Sequence, residues 1–239
     1  MFDPQRIAHA LAVLPDSPRW IEARAVLLSG HGAVFGAGGD LVIRNDAPGG
    51  GIAVAMGRAP EELARSVLGD RPGRELLCAA EDGEHWQRVL RGWSTKGVLL
   101  YGLQQAGGLV PPSAAVERLT LDHSLDHLPQ ELREEIEQAL PDHAVWCAFH
   151  EGDAAAFAYS HWRTEGWFDI SIDTAPAYRR RGLARRAVSE LIRRELAAGL
   201  QPVWGAMASN TASQRLAASL GFVPVDRMLL LTQDTAELR

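Results

Sequence analysis

The segment from Trp167 to Ala187 constrains the fold of this chain more than any other. It reads WFDISIDTAPAYRRRGLARRA, and the alternation from Phe168 to Thr174 predicts a β-strand. The residues after it predict a helix, with apolar positions at Leu183, Ala184, Ala187, Val188, Leu191, Ile192 and Leu196. A strand that enters a helix through a glycine-containing loop is common to several nucleotide folds, so the segment indicates an α/β protein without naming its ligand.

The loop of this segment is suited to bind an anion. Gly182 has no side chain and Ala184 has a small one, so a ligand can approach the backbone closely. The first N–H groups of the helix have no partner within it, and the positive end of the helix dipole lies there. Positive charge is added by Arg179, Arg180 and Arg181. A charge-assisted hydrogen bond from one of them contributes ~1.5–3 kcal/mol, so we predict that the loop binds a phosphate or diphosphate.

Three ordered blocks of residues resemble a known family. Arg179 to Ala184 fits the pattern Gln/Arg-x-x-Gly-x-Gly/Ala and follows Pro176 to Tyr178, which resembles the acetyl-CoA signature of the GNAT N-acetyltransferase superfamily. Pro202 to Met207 is similar to the next strand of that family. Its second conserved block is matched by Asn210-x-x-Ser213, Leu216 and Leu220-Gly221-Phe222. The resemblance extends from about Val116 to the C-terminus.

The resemblance implies a fold and a division of the chain. Residues 114–239 are expected to form a GNAT domain, an α/β (α+β) fold in which the strands of a mixed central sheet splay apart where the cofactor enters. Residues 1–113 are expected to form a smaller α/β accessory domain, interpreted as a degenerate GNAT-like unit from an ancient duplication. The boundary is placed at Pro111-Pro112-Ser113, because a proline pair stiffens the chain and ends helices and strands.

The activity implied by the resemblance is acetyl transfer from acetyl-CoA to a primary amine of a small molecule or peptide, by direct attack in a ternary complex. An acyl-CoA-binding regulatory or sensor module with little turnover is the alternative. A backbone N–H between Ser171 and Thr174 is the expected donor to the oxyanion. The cofactor-binding residues implied are Ile172, Thr174, Arg179, Arg180, Arg181, Gly182, Leu183, Ala184, Asn210 and Ser213.

The catalytic acid and base are less clearly marked. Many family members carry a tyrosine acid seven residues after the asparagine of the second block, but Ala217 stands there in this chain. Ser213 is the remaining candidate near the sulfur, and it is equally well interpreted as a helix cap. An amine with a pKa near ~10.4 is protonated at neutral pH, so a base is required. Asp169 is the first candidate, since Trp167, Asp169, Ser171 and Asp173 share one strand face, and Glu165 and His161 follow it.

Composition limits the partners and the compartment. A net charge of −6 and a pI near 5.8 argue against nucleic acid, which usually requires a broad basic surface. No apolar run approaches the ~18 residues of a membrane helix, and the N-terminus lacks a signal-peptide core, so we expect a cytoplasmic protein with no membrane partner. Cys78 and Cys147 lie in apolar strand-like segments and are interpreted as buried thiols, with no metal site expected. Homodimers are common in the resembled family, although the sequence marks no interface.

Overall fold

The computed structural model describes residues 3–47, 50–69 and 73–233. Within them the α-helices are α1 (Pro4–Val13), α2 (Ile21–Leu28), α3 (Glu61–Leu68), α4 (Gly83–Val89), α5 (Gln130–Ala139), α6 (Leu183–Ala197) and α7 (Thr211–Ser219). The strands are β1 (Gly32–Ala37), β2 (Asp40–Asn45), β3 (Ile52–Met56), β4 (Glu75–Ala79), β5 (Trp93–Leu103), β6 (Val116–Arg118), β7 (Trp146–His150), β8 (Asp153–Tyr159), β9 (Trp167–Asp169), β10 (Ser171–Thr174), β11 (Gln201–Met207) and β12 (Phe222–Gln233). Among the described residues, no helix combines the length and the apolar character needed to cross a bilayer.

Two compact units divide the chain, and each is assembled from separate segments. Unit 1 consists of residues 1–100, 205–211 and 224–239, and unit 2 consists of residues 101–204 and 212–223. This division differs from the predicted boundary at Ser113. The difference arises because Met228–Thr232 of β12 pairs antiparallel with Glu75–Ala79 of β4 in unit 1. A proline pair marks a local break in the chain, whereas compact units depend on pairing between distant segments.

Unit 1 contains strands of a mixed sheet in the order β1-β2-β3-β4-β12-β5. β1, β2 and β3 are antiparallel neighbours, and β3 lies parallel to β4. α3 connects this parallel pair, and its buried residues Val67 and Leu68 pack in one apolar cluster with Leu76 of β4 and Trp86 of α4. Burial of such side chains stabilises the unit by about 1.5–3 kcal/mol each.

Unit 2 contains a second sheet with the strand order β10-β8-β7-β6, in which all neighbours are antiparallel. One face is covered by α5, whose Ile136 clusters with Cys147 of β7 and with Phe157 and Tyr159 of β8. α6 packs against β7, β8 and β10. α6 also connects a parallel pair, since Gln201–Val203 of β11 pairs with β9. The sheet therefore lies between two helices, and the connection into α6 starts from its edge.

The same order of elements occurs twice along the chain. β1, β2, β3, α3, β4, α4 and β5 are followed later by β7, β8, β9 with β10, α6, β11, α7 and β12. In each series a helix joins two parallel strands. This order agrees with a duplicated ancestor, which stays a prediction because residue-level repetition is not visible in the sequence.

The two cysteines are free and buried, so the prediction of buried thiols is confirmed. Cys78 belongs to the apolar cluster of unit 1 and Cys147 to that of unit 2. Burial raises the pKa of each thiol to about 12, so both remain protonated near neutral pH.

Candidate functional site

The prediction of one continuous strand from Phe168 to Thr174 is wrong, because the strand is interrupted at Ile170. β9 lies parallel to β11, whereas β10 lies antiparallel to β8 in the other sheet. The Ile170 side chain is buried at the interruption. As a result, β10 is the end strand of the order β10-β8-β7-β6, and one of its edges has no partner in that sheet.

The hydrogen bonds of β10 show which amides face this edge. Ala175 N donates to Ala155 O of β8 at 3.0 Å. Backbone groups of successive strand residues point to opposite edges, so the N–H groups of Ile172 and Thr174 point away from β8. Both residues were predicted to bind the cofactor, and the structure places their amides on the outer edge of β10. These amides are suitable donors for a ligand that lies along the strand.

The loop before α6 leaves an open helix N-terminus. Gly182 has φ 74° and Arg180 has φ 63°, both in the left-handed region. A Cβ atom added to Gly182 would meet no atom within 4 Å. No side-chain hydrogen bond caps α6, and Arg186 N bonds to Gly182 O at 3.3 Å. The amides of Leu183 and Ala184 precede that bond, so the open space and these amides fit a diphosphate.

The three predicted arginines have different surroundings. Arg179 Nε donates to Thr174 O at 3.3 Å, which ties the loop to the outer edge of β10. Arg181 Nη1 donates to His150 Nε2 at 2.9 Å. The Arg180 side chain is exposed and has no hydrogen bond or ion pair with the residues that the structure describes. Arg180 is therefore the arginine of the three that can turn to an anion without losing an existing contact.

Asp169 lies at the end of β9, where its carboxylate closes a turn. Its Oδ1 accepts hydrogen bonds from His161 N and Trp162 N, both at 2.8 Å, and from Ser160 Oγ at 3.3 Å. Burial raises the pKa of the Asp169 carboxyl, although these hydrogen bonds and His161 oppose the shift. Because three donors from residues 160–162 hold Oδ1, these contacts give the Asp169 carboxylate a structural part in the turn.

In the block that resembles the second conserved block of the family, Ser213 makes a hydrogen bond to a buried tryptophan. Ser213, in the first turn of α7, accepts a hydrogen bond at its Oγ from Trp204 Nε1 at 2.9 Å. Trp204 is 1% exposed, so this hydroxyl satisfies a buried indole. Asn210 precedes α7, and its N donates to Met207 O at 2.9 Å. Ala217, which stands at the position of the expected tyrosine, is fully buried.

Replacing Ser213 by alanine should lower the free energy of unfolding. The variant leaves the indole N–H of Trp204 buried without an acceptor, which costs about 1–3 kcal/mol. Urea denaturation followed by tryptophan fluorescence measures the change. Ser213→Thr keeps the hydroxyl and should remain within about 1 kcal/mol of wild type. If acetyl-CoA affinity falls in Ser213→Ala by more than the loss of stability explains, the result would indicate that the hydroxyl also contacts the cofactor.

A group of titratable residues on the α5 face was missed in the sequence. Tyr159 donates its hydroxyl hydrogen to Glu135 Oε1 at 3.1 Å. Asp173 pairs in register with Phe157, which places its side chain on the same face. Burial, and then the charge of Glu135, raise the pKa of Asp173 to about 6, against the opposing charge of Arg179. Strand alternation gave the face of Asp173, but no sequence pattern indicated Glu135 as its neighbour.

In unit 1, the connection between β3 and α3 corresponds to the loop before α6 in unit 2. A carboxylate already occupies this connection. Between β3 and α3, Arg58 N donates to Asp40 Oδ1 at 2.6 Å. A Cβ atom on Gly57 would lie 2.4 Å from both Asp40 Oδ1 and Gly39 O. The next helix begins with Glu61 and Glu62. This connection is closed and acidic where the connection at Gly182 is open and basic, so only the latter suits a diphosphate.

Comparison with known proteins gives a consistent result. Residues 146–228 match a family model described as GNAT acetyltransferase. A GNAT-family structure from Novosphingobium aromaticivorans is 23% identical, with a TM-score of 0.64, and covers 92% of this chain and 100% of its own. A GCN5-related N-acetyltransferase-like protein from Streptococcus suis is 18% identical, with a TM-score of 0.65, and covers 95% and 97%. A GCN5-related N-acetyltransferase from Kribbella flavida is 16% identical, with a TM-score of 0.62, and covers 95% and 100%. A search of curated proteins finds no match.

The fold is thus a GNAT fold, and the structural similarity includes the N-terminal region as well as the C-terminal half. The resemblance predicted from the sequence is confirmed, since residues 146–228, in the C-terminal half of the chain, match the GNAT acetyltransferase family model.

Proposed function

We propose that this protein transfers an acetyl group from acetyl-CoA to a primary amine of a small molecule or peptide, by direct attack in a ternary complex. The observation that carries the proposal is the interruption at Ile170, which leaves β10 with an open edge just before the open N-terminus of α6. The match of residues 146–228 to the GNAT acetyltransferase family model supports the same reaction class.

Each part of acetyl-CoA has suitable residues in this chain. The diphosphate would be held by the amides of Leu183 and Ala184 beside Gly182, and the exposed Arg180 side chain would supply a cation. Arg179 and Arg181 keep the loop in place through Thr174 O and His150. The pantetheine amides would pair with the outer edge of β10. Asn210 and Ser213 of the second block are proposed to contact the cofactor on the strength of the family pattern.

The outer edge of β10 also offers a donor for the oxyanion. Acetyl-CoA supplies an activated acyl group whose carbonyl oxygen becomes negative during attack. The N–H of Ile172 points to the outer edge of β10 and is fixed by its strand, so it can stabilise that charge without reorganising. Removing one such donor typically costs ~10²–10³ in rate, but a backbone donor cannot be deleted by a side-chain substitution.

An assay of thiol release tests the proposal. Acetyl-CoA is incubated with the full chain and with an aliphatic diamine, an aromatic ethylamine, an aminoglycoside and a peptide with a free N-terminus, each in turn. We expect amine-dependent release of coenzyme A with at least one acceptor class, together with the acetylated product by mass spectrometry. Acetyl-CoA binding without turnover for any acceptor would instead favour an acyl-CoA sensor.

A further inference from the structure

We infer that Asp173 is the residue that takes the proton from the acceptor amine, an inference that rests on the proposed acetyl transfer. It assigns the catalytic base to β10 itself and gives Glu135 the role of a positioning residue that acts through Asp173.

The position of Asp173 supports this role. It lies between Ile172 and Thr174, whose amides face the outer edge of β10, so its Cα is within one residue of both proposed cofactor contacts. Its side chain projects to the face covered by α5, because it pairs with Phe157 of the α5 cluster. Asp173 is half-buried, so its carboxylate is partly desolvated yet reachable. The acceptor would then approach from the α5 side of the sheet.

Charged and titratable groups face Asp173 from each neighbouring element. Glu135 projects from α5, Tyr159 from β8, and Arg179 from the loop after β10. Burial and Glu135 raise the pKa of Asp173 to about 6, while Arg179 lowers it. Burial and Glu135 also raise the pKa of Tyr159, so this hydroxyl stays neutral and donates to Glu135. A carboxylate with this pKa is ionised at neutral pH and is a stronger base than an ordinary aspartate.

Asp169, the candidate favoured from the sequence, has different contacts. Its Oδ1 accepts from the N–H groups of His161 and Trp162 and from the Ser160 hydroxyl. Asp173 has no hydrogen bond of this kind in the part of the chain that the structure describes. Of the two aspartates, Asp173 is therefore the one with no hydrogen bond to either carboxylate oxygen among the described residues, whereas three donors already hold Oδ1 of Asp169.

The proposed step balances without a further reactant. The ammonium group of the acceptor gives one proton to the Asp173 carboxylate, and the nitrogen lone pair forms a bond to the thioester carbonyl carbon. The carbon–sulfur bond breaks, and sulfur leaves with the bonding electrons. A second proton from nitrogen neutralises the thiolate, which yields the amide and the free thiol. The proton on Asp173 then passes to solvent and restores the carboxylate.

Substitution of Asp173 tests the inference through rate and affinity together. With an amine that the wild-type chain acetylates, Asp173→Asn should lower kcat by about 10²- to 10⁴-fold, the usual contribution of a general base. Acetyl-CoA affinity, measured by isothermal titration calorimetry, should stay within about twofold of wild type, since the loop at Gly182 that is proposed to bind the diphosphate is unchanged. An Asp173→Asn variant that keeps the wild-type kcat, or an Asp169→Asn variant that loses more, would overturn the inference.

The positioning role of Glu135 has a separate readout. Glu135→Gln keeps an acceptor for the Tyr159 hydroxyl but removes the negative charge, so the pKa of Asp173 should fall and the acidic limb of the pH–rate profile should move to lower pH. Carboxyl ¹³C NMR of the chain without cofactor, assigned through Asp173→Asn, should show a midpoint of about 6 that falls in Glu135→Gln. Glu137→Gln, an exposed position on the same helix, is the matched control and should leave both unchanged.

The outcomes separate this inference from the proposed function. Two results would overturn the assignment of the base and leave acetyl transfer standing. One is a Glu135→Gln variant that turns over with an unaltered acidic limb of its pH–rate profile. The other is a titration midpoint of the Asp173 carboxyl near that of an ordinary aspartate. Acetyl-CoA binding with no turnover for any amine in the wild-type chain would overturn both.

Discussion

Replacing Gly182 by aspartate is expected to abolish acetyl-CoA binding while the protein remains folded. The new carboxylate would sit at the N-cap of α6, where it can accept hydrogen bonds from the amides of Ala184 and Arg185. It would occupy the Ala184 amide, one of the two donors proposed for the diphosphate, and would repel the charge of the diphosphate. Loss of charge-assisted bonds worth ~1.5–3 kcal/mol each corresponds to an affinity decrease of about 10²- to 10⁴-fold. Isothermal titration calorimetry measures it, and the wild-type chain should show one site.

Two matched variants separate the carboxylate from the backbone effect. Gly182→Ala imposes the same left-handed strain at φ 74° but adds no charge, so it should bind acetyl-CoA much better than Gly182→Asp. Gly199→Asp adds a carboxylate near the other end of α6, at φ 87° and with no atom within 4 Å of its Cβ, and should leave affinity unchanged. Wild-type affinity in a folded Gly182→Asp variant would remove the basis for placing the diphosphate here.

Replacing Gly221 by alanine should destabilise the protein strongly. Gly221 has φ 96°, and a Cβ atom there would lie 2.2 Å from Gln105 O. The Gly221 carbonyl also accepts from Gln104 N at 3.1 Å, so the two segments cannot separate without losing a hydrogen bond. Left-handed strain of ~1–2 kcal/mol and overpacking of ~1–3 kcal/mol together give about 2–5 kcal/mol. For a chain of this size the melting temperature should fall by roughly 4–20 °C.

Gly152 provides the control for that experiment. Its φ of 94° is nearly the same, but no atom lies within 4 Å of an added Cβ. Gly152→Ala should therefore show the cost of the left-handed conformation alone, about 1–2 kcal/mol. The difference between the two variants in differential scanning calorimetry isolates the contact with Gln105. Equal melting temperatures for Gly152→Ala and Gly221→Ala would contradict the close approach of the two backbones.

The loop from Arg179 to Ala184 was readable from sequence because its properties are local. Glycine permits the left-handed conformation at Gly182, the apolar period fixes where α6 begins, and the charges are those of adjacent residues. What the sequence did not distinguish was the arrangement of the three arginines. Arg179 and Arg181 contact Thr174 and His150, which a linear motif does not specify.

The alternating segment from Phe168 to Thr174 shows where local pattern is insufficient. Alternation reports that successive side chains face opposite sides, but it does not report which strand lies alongside. The interruption at Ile170 arises because β9 pairs with β11 and β10 pairs with β8. For the same reason, alternation placed Asp169 and Asp173 on one strand face, with Asp169 as the candidate base. Only tertiary contacts separate the carboxylate that closes a turn from the one that faces Glu135.

The sequence by itself determined the class of fold and the position of the loop for which we propose anion binding, because both follow from short-range periodicity, glycine placement and charge. The tertiary structure decided which edge of β10 is open, that β12 pairs with β4 in the sheet of unit 1, and which acids share an environment. These features depend on contacts between residues far apart in the chain, such as Glu135 with Tyr159. The local sequence around each residue does not specify such contacts.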